Sequence, residues 1–331
     1  MPDLSHSRTP AVSRSPATAH TGEAQGGAEA VDAPQQDSRP ALAKGRRYVL
    51  TAEDNQGYES ATWTKVAKDH GMLDKHLVAF NQHVGTVDEG LSEHGLQPVP
   101  RLDAGVEIYI PSTDEILFSQ CSHKADGDLA RATALFNGIA QGPQLAVLRT
   151  ARERASGAVG VGYGTPGDKG IFYTQNPALA GASEKRSQTI DGEKEYRVNW
   201  GSDFWKCSVF MHDVVYSAGY KPDLTDNKHY RLAGHLQLSG QYREVAVSNA
   251  RPGNCWQRFG GTRSDESHNA VLSSFVEVED LGDDTEKWSF TIIGAESDRA
   301  AESERSHIMK KGTNETTDGK KIRFFDPKGK R

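Results

Sequence analysis

The sequence predicts an α+β protein, and three observations carry that prediction. Residues 46–112 read as strand, helix, helix, strand. An amphipathic helix bearing Cys207 lies past the middle of the chain. A series of antiparallel strand candidates follows, one of them starting at His268. Strands gathered after a helical region, without regular alternation, are the pattern of an α+β fold.

Composition bounds the problem. Only 36 % of the 331 residues are apolar, against nearly half in an ordinary globular chain. Residues 1–45 explain part of the shortfall. They contain no Phe, Trp or Tyr, and they hold five of the 14 prolines. Such a segment cannot bury enough apolar surface to offset its ordering entropy, so it is expected to be disordered. The net charge of −6 argues against a nucleic-acid partner, which calls for a basic face. No apolar run approaches the ~20 residues that span a bilayer, and the N-terminus lacks an apolar signal core. The chain is therefore expected to be made as a soluble cytoplasmic protein. Action outside the cytoplasm would require export without a signal peptide.

The first foldable unit is expected at residues 46–112. Tyr48, Val49 and Leu50 favour a strand. Residues 62–70 place Trp63, Val66 and Ala67 at helical spacing, with Gly71 as the stop. Asp74 is positioned to cap a second helix carrying Leu77, Val78 and Phe80. Residues 82–104 read as a loop insertion. Residues 105–111 alternate with period two and end at a proline, as a strand does. This βααβ pattern resembles a LysM module. The matching pieces are Tyr48 to Asp54, Thr62 to Gly71, Leu77 to Asn81 and Ala104 to Pro111. The resemblance implies binding of glycans that contain N-acetylglucosamine.

Residues 113–144 read as a helical linker, with Leu129, Ala132, Leu135, Phe136 and Ile139 on one stripe. Residues 144–156 continue the theme with Leu145, Leu148 and Ala151. Arg149, Arg152 and Arg154 lie off that stripe and are expected on a solvated basic face. Gly162, Gly164 and Gly167 formally match G-x-G-x-x-G. No strand clearly precedes them and Pro166 opens no helix, so they read as a loop.

The chemistry is expected in residues 145–331. Ser202 or Asp203 can cap a helix running to Gly219, where Lys221 and Pro222 block continuation. Cys207, Met211, Val214 and Ala218 follow i, i+4, i+7, i+11 on its buried stripe. A helix start favours a thiolate through its positive dipole end, and Lys206 adds to that field. A thiolate needs a base. Residues 252–259, 267–279 and 288–293 read as strands. Alternation puts His268, Ala270, Leu272, Val276 and Val278 of the second strand on one face. His212, His229 and His235 read as surface or packing residues, and Cys121 and Cys255 as packing residues. Three cysteines cannot form a disulfide framework. No spacing suits a metal, and no cofactor is implied.

The order of these elements resembles the NlpC-type, papain-like cysteine peptidases and amidases of bacterial cell-wall metabolism. Lys206 to Gly219 is similar to the nucleophile helix. Pro252 to Asn254 matches the turn before the first strand, Ser267 to Leu272 the histidine strand, and Lys321 to Asp326 the last strand. Lys206 and Asn269 depart from the family pattern. The resemblance implies Cys207 as nucleophile, His268 as general base and Glu296 as the residue that orients the histidine. It implies a hydrolase cleaving an amide of the peptidoglycan stem peptide. With no export signal, an antibacterial effector of an injection machine such as a type VI secretion system, or a phage-type lysin, is expected, and an effector would have an immunity protein as a further partner. The alternatives are a papain-like toxin acting on a protein, and an inactive wall-binding protein. Residues 297–320 are open between a lid and a disordered loop.

Overall fold

The computed structural model describes residues 39–54, 63–82, 102–163, 171–174, 187–190, 193–199, 206–220, 242–260, 268–296, 299–328 and 330. Strand β1 (Arg46–Val49), helices α1 (Trp63–Asp69) and α2 (Asp74–Phe80) and strand β2 (Glu107–Ile110) form the first unit. β1 and β2 are antiparallel, with Arg46 opposite Ile110. Leu50, Trp63, Val66, Leu77, Leu102 and Ile108 fill its core. Gly71 ends α1 at a φ of 67°, and a Cβ there would meet the carbonyl oxygen of Arg152 at 2.4 Å. Both facts favour glycine. Asp74 is not the cap of α2. Leu73 occupies that position, and Asp74 is the first helical residue.

Four helices follow: α3 (Thr113–Lys124), α4 (Leu129–Ala140), α5 (Gln144–Ala155) and α6 (Gly157–Gly162). Ser112 and Glu115 form a reciprocal capping box on α3, and Asp128 caps α4. Next come β3 (Ile171–Thr174), β4 (Ser187–Ile190) and β5 (Glu193–Asn199), a small sheet in the order β3-β5-β4. Then come α7 (Lys206–Ser217), β6 (Tyr242–Val245), β7 (Cys255–Phe259), β8 (His268–Leu272), β9 (Glu277–Gly282), β10 (Thr285–Ala295), β11 (Ala300–Lys310) and β12 (Lys321–Pro327). The main sheet runs β11-β10-β8-β7-β12-β6, with β9 also on β10. It is a curled half-barrel. Trp256, Leu272, Trp288, Phe290 and Phe324 cluster on one face. Val271 and Ile293 face the helices, together with Val209 and Phe210 of α7.

Several expectations change. Residues 113–144 are not a linker: Leu117, Cys121, Phe136 and Ile139 belong to the same core as Val209, Val271 and Ile293. Residues 39–45 are held in place. The Ala43 N–H donates to Asp114 at 3.1 Å, the Gly45 N–H donates to Glu115 at 2.9 Å, and the Ser112 hydroxyl donates to the Ala43 carbonyl. Residues 1–38 lie outside the described residues. The strand expected at 267–279 breaks after Leu272, where Ser273 and Ser274 hydrogen-bond to Thr291. Val278 then lies on an exposed hairpin strand rather than on the face of His268. Residues 300–310 of the 297–320 segment form β11, paired with β10 along its whole length.

The basic face of α5 is also corrected. Arg152 and Arg154 are buried. The Arg152 guanidinium pairs with Glu302 of β11 at 3.1 Å, and the Glu302 side chain is fully buried. Glu302 also accepts the Leu73 N–H at 3.0 Å and lies 3.6 Å from His76 of α2. One carboxylate therefore ties the first unit, α5 and the main sheet together. Burial opposes its charge, yet Arg152 and His76 hold the carboxyl well below the usual carboxylate range. At the rim of the same contact, Arg299 pairs with Asp69 at 3.0 Å and Lys75 with Glu304 at 2.8 Å.

Removing one partner of a buried pair leaves the other charge uncompensated, which costs roughly 3–5 kcal/mol. Glu302→Gln is expected to lose about that much in a denaturant titration at pH 7. Removal of Arg47, whose pair with Glu107 is exposed, is expected to cost less than ~1 kcal/mol. The depressed carboxyl makes its contribution above its ordinary pKa of 4.5 and loses it as pH falls. Below about pH 4.5, the wild type is therefore expected to lose its advantage over Glu302→Gln. Equal stability of the two at pH 7 would contradict the buried-pair account.

Candidate active site

Cys207 is the second residue of α7 and is 6 % exposed. Ser202 and Asp203, the expected caps, lie outside the described residues. Met211 and Val214 share the buried stripe. The helix is also held from below. Asp213, fully buried, accepts the Tyr163 hydroxyl at 2.6 Å and lies 3.1 Å from the Arg154 guanidinium of α5. A second guanidinium nitrogen of Arg154 donates to Ser217 at 3.2 Å. This buried group fixes the height and rotation of α7 against α5 and α6, and with them the position of Cys207.

His268 is the first residue of β8, opposite Arg258 of β7. α7 packs against β8 and β10, and this packing brings the imidazole to the thiol of Cys207. The imidazole Nε2 lies 3.8 Å from Oε1 of Glu296, just beyond the end of β10. The three expected residues, far apart in sequence, thus meet at one place. Burial disfavours a charged imidazole, but the Cys207 sulfur and the Glu296 carboxylate outweigh it and raise His268 to about 9. Burial would raise Glu296, but His268, Arg305 and Ser303 hold it below its ordinary value. Glu296 is therefore ionised and His268 protonated at neutral pH.

The sequence reading missed the residues that hold Glu296. Arg305 pairs with its Oε1 at 2.5 Å, and the Ser303 hydroxyl donates to the same oxygen at 3.0 Å. Both lie on β11. The signal was present as period-two alternation of Ser303, Arg305, His307 and Met309. It was obscured because both faces of that strand carry polar residues. A cavity of about 450 Å³ opens beside the site, bordered by Arg258, His268, Glu296, Arg305 and His307. His307 stacks on Trp256 at 6.2 Å. Burial, with Arg258 and Arg305 nearby, lowers it to about 4, so it is a neutral wall of this cavity.

The other candidates separate from the site. His212 is buried within α7 rather than at the surface. His229 and His235 lie outside the described residues, as does the glycine motif beyond Tyr163. Cys121 and Cys255 are completely buried in separate clusters. Burial pushes the Cys121 thiol up to about 12 and the Cys255 thiol higher still. Among the described residues no group of His, Cys, Asp and Glu could hold a metal. No helix among them is long and apolar enough to cross a membrane.

Comparison with known proteins finds no match among family models, curated proteins or solved structures. Fold and site thus define the molecule on their own terms. It is an α+β protein in which a helix-borne cysteine meets a strand-borne histidine, the helix packed against an antiparallel sheet.

The thiolate is the form that reacts with alkylating agents. Brief treatment of the native protein with iodoacetamide at pH 7.5 is expected to modify Cys207 and to spare Cys121 and Cys255. Peptide mass spectrometry reads the sites. Equal labelling of all three cysteines would contradict this geometry.

Proposed function

We propose that the protein is a cysteine amidase of the NlpC-type, papain-like class that hydrolyses an amide in the stem peptide of peptidoglycan. The observation that supports this reading is the meeting of Cys207, at a helix start, with His268, itself backed by an ionised Glu296. The βααβ unit, similar to a LysM module, supports the choice of polymer. Its role in this reading is to hold the glycan while the site works on the attached peptide.

The chemistry follows from the groups present. The Cys207 proton resides on His268, leaving a thiolate beside an imidazolium. The thiolate attacks the amide carbonyl carbon. The oxyanion accepts hydrogen bonds from backbone N–H groups at the start of α7, that of Cys207 among them. His268 then gives its proton to the departing amine as the C–N bond breaks, and a thioester remains. His268, now neutral, removes a proton from water. The hydroxide adds to the thioester, the C–S bond breaks, and carboxylate product leaves. Glu296 orients the imidazole and stabilises its charged form throughout. Arg305 and Ser303 keep Glu296 ionised and in place.

In this reading the enzyme acts on the wall of a target cell, delivered by a secretion machine, and the producing cell protects itself with an immunity protein that closes the cleft.

Purified sacculi incubated with the wild type are expected to release stem-peptide fragments, read by mass spectrometry of the digest. Cys207→Ala is expected to lower the rate by at least about 10³-fold, and His268→Ala by about 10²–10⁴-fold. Identical profiles for wild type and Cys207→Ala would overturn the reading. The alkaline limb of kcat/KM is expected near pH 9, where His268 loses its proton. Glu296 raises that pKa, so Glu296→Gln is expected to move the limb to lower pH. A limb unmoved by Glu296→Gln would exclude the orienting role.

A further inference from the structure

β11 is the last strand on its side of the main sheet, and among the described residues its outer edge is covered at both ends but not in the middle. The Glu296 N–H donates to the Arg299 carbonyl, and the Lys311 N–H to the Asp284 carbonyl. Odd-numbered residues along the strand therefore bond inward to β10. Even-numbered residues turn their backbone outward, as the alternation of an antiparallel ladder requires. At one end the edge is closed, because the Ile308 carbonyl accepts the Thr317 N–H and the Lys310 N–H donates to Glu315. At the other end Glu302 is buried under α2 and α5. Between them lie Glu304 and Ser306, both exposed. The Glu304 carbonyl accepts only the Arg305 guanidinium, at 3.3 Å. The Glu304 N–H and both backbone groups of Ser306 have no partner among the described residues. An open edge of this kind is a template for another extended chain.

The surroundings of this gap indicate what fits it. The cavity of His268 and Glu296 lies on one side. A second cavity, of about 710 Å³, lies on the other, between α2, α3 and strands β9 to β11. Glu304, Arg305 and Ser306 border both. Together the two cavities carry five lysine and arginine side chains, including Lys124 and Arg258, against three glutamates, and one of the five, Lys287, is paired with Glu279 just outside them at 3.6 Å. This is a local cationic excess on a chain of net charge −6.

We propose that the open edge of β11 at Glu304 and Ser306 docks an extended peptide bearing free carboxylates. The peptide joins the sheet through main-chain hydrogen bonds, the mode of β-strand addition. Its alternate side chains enter the two cavities, where the cations meet its carboxylates, and its scissile amide lies toward Cys207 and His268. The proposal rests on the hydrolase reading for the identity of the substrate, and it assigns that substrate a binding edge and a charge.

Hydrogen exchange on the full-chain Cys207→Ala protein tests it directly, because this variant binds without turnover. The probe is a soluble preparation of disaccharide–stem-peptide fragments from bacterial sacculi. Residues 303–307 are expected to exchange at least tenfold more slowly with the probe than without it. No added protection there overturns the proposal, whatever the catalytic result. Kinetics on the active chain supply a second measurement. Proline is tolerated on an edge strand where its missing N–H faces outward. Ser306→Pro is therefore expected to raise KM for the same fragments at least tenfold, with a much smaller change in kcat. An unchanged KM overturns the edge while leaving the hydrolase reading intact. Loss of Cys207-dependent cleavage in the wild type would instead fail the hydrolase reading, with the exchange experiment still deciding the edge.

Discussion

The fully buried carboxylate of Glu302 is the contact on which the arrangement of this protein depends. It sits on β11, answers the charge of Arg152 on α5, and accepts the backbone of Leu73 at the start of α2. A carboxylate in that position is unfavourable unless all of its partners are present together. The contact is therefore all or none: the βααβ unit, the helical layer and the main sheet adopt one mutual placement. That placement also sets the course of β11, and β11 carries Arg305 and Ser303 to Glu296.

A second buried group plays the corresponding part beneath the candidate nucleophile. Asp213, Arg154 and Tyr163 join α7 to α5 and α6 away from the cysteine. Both charged clusters use arginines of the same helix, two residues apart. α5 thus couples the sheet edge on one side to the helix of Cys207 on the other. Polar groups buried this deeply demand specific geometry, whereas the surrounding Val, Leu and Ala contacts tolerate small shifts. The site needs that specificity, because a thiol and an imidazole from different elements must meet within hydrogen-bond reach.

The electrostatics of the three site residues form a graded series. Arg305 and Ser303 keep Glu296 charged, and Glu296 and Cys207 favour a charged His268. Each group answers its neighbour across a strand or helix boundary. By contrast, burial alone governs Cys121 and Cys255, and it drives their thiols away from reactivity. The same residue type is packed away from any charge partner at Cys121 and meets an imidazole at Cys207.

Local information in the sequence determined much of the framework. The βααβ order, the Gly71 stop, the α3 to α5 helices and the body of the Cys207 helix all follow from periodicity and backbone preference, which act within a few residues. Cys207 and His268 were picked out by their order in the chain and the helix and strand patterns around them, and the structure brings their side chains together. The tertiary structure alone decided the rest. Arg152 and Arg154 looked like a solvated face because periodicity cannot see a carboxylate 150 or 59 residues away. Residues 113–144 looked like a linker because their apolar stripe does not name what it packs against. β11 escaped notice because it is polar on both faces, one lining the site and the other holding the buried Glu302. Pairing between distant strands and burial of charge are long-range effects, so the sequence determined the elements and the places of Cys207 and His268 in them, while packing decided how they meet.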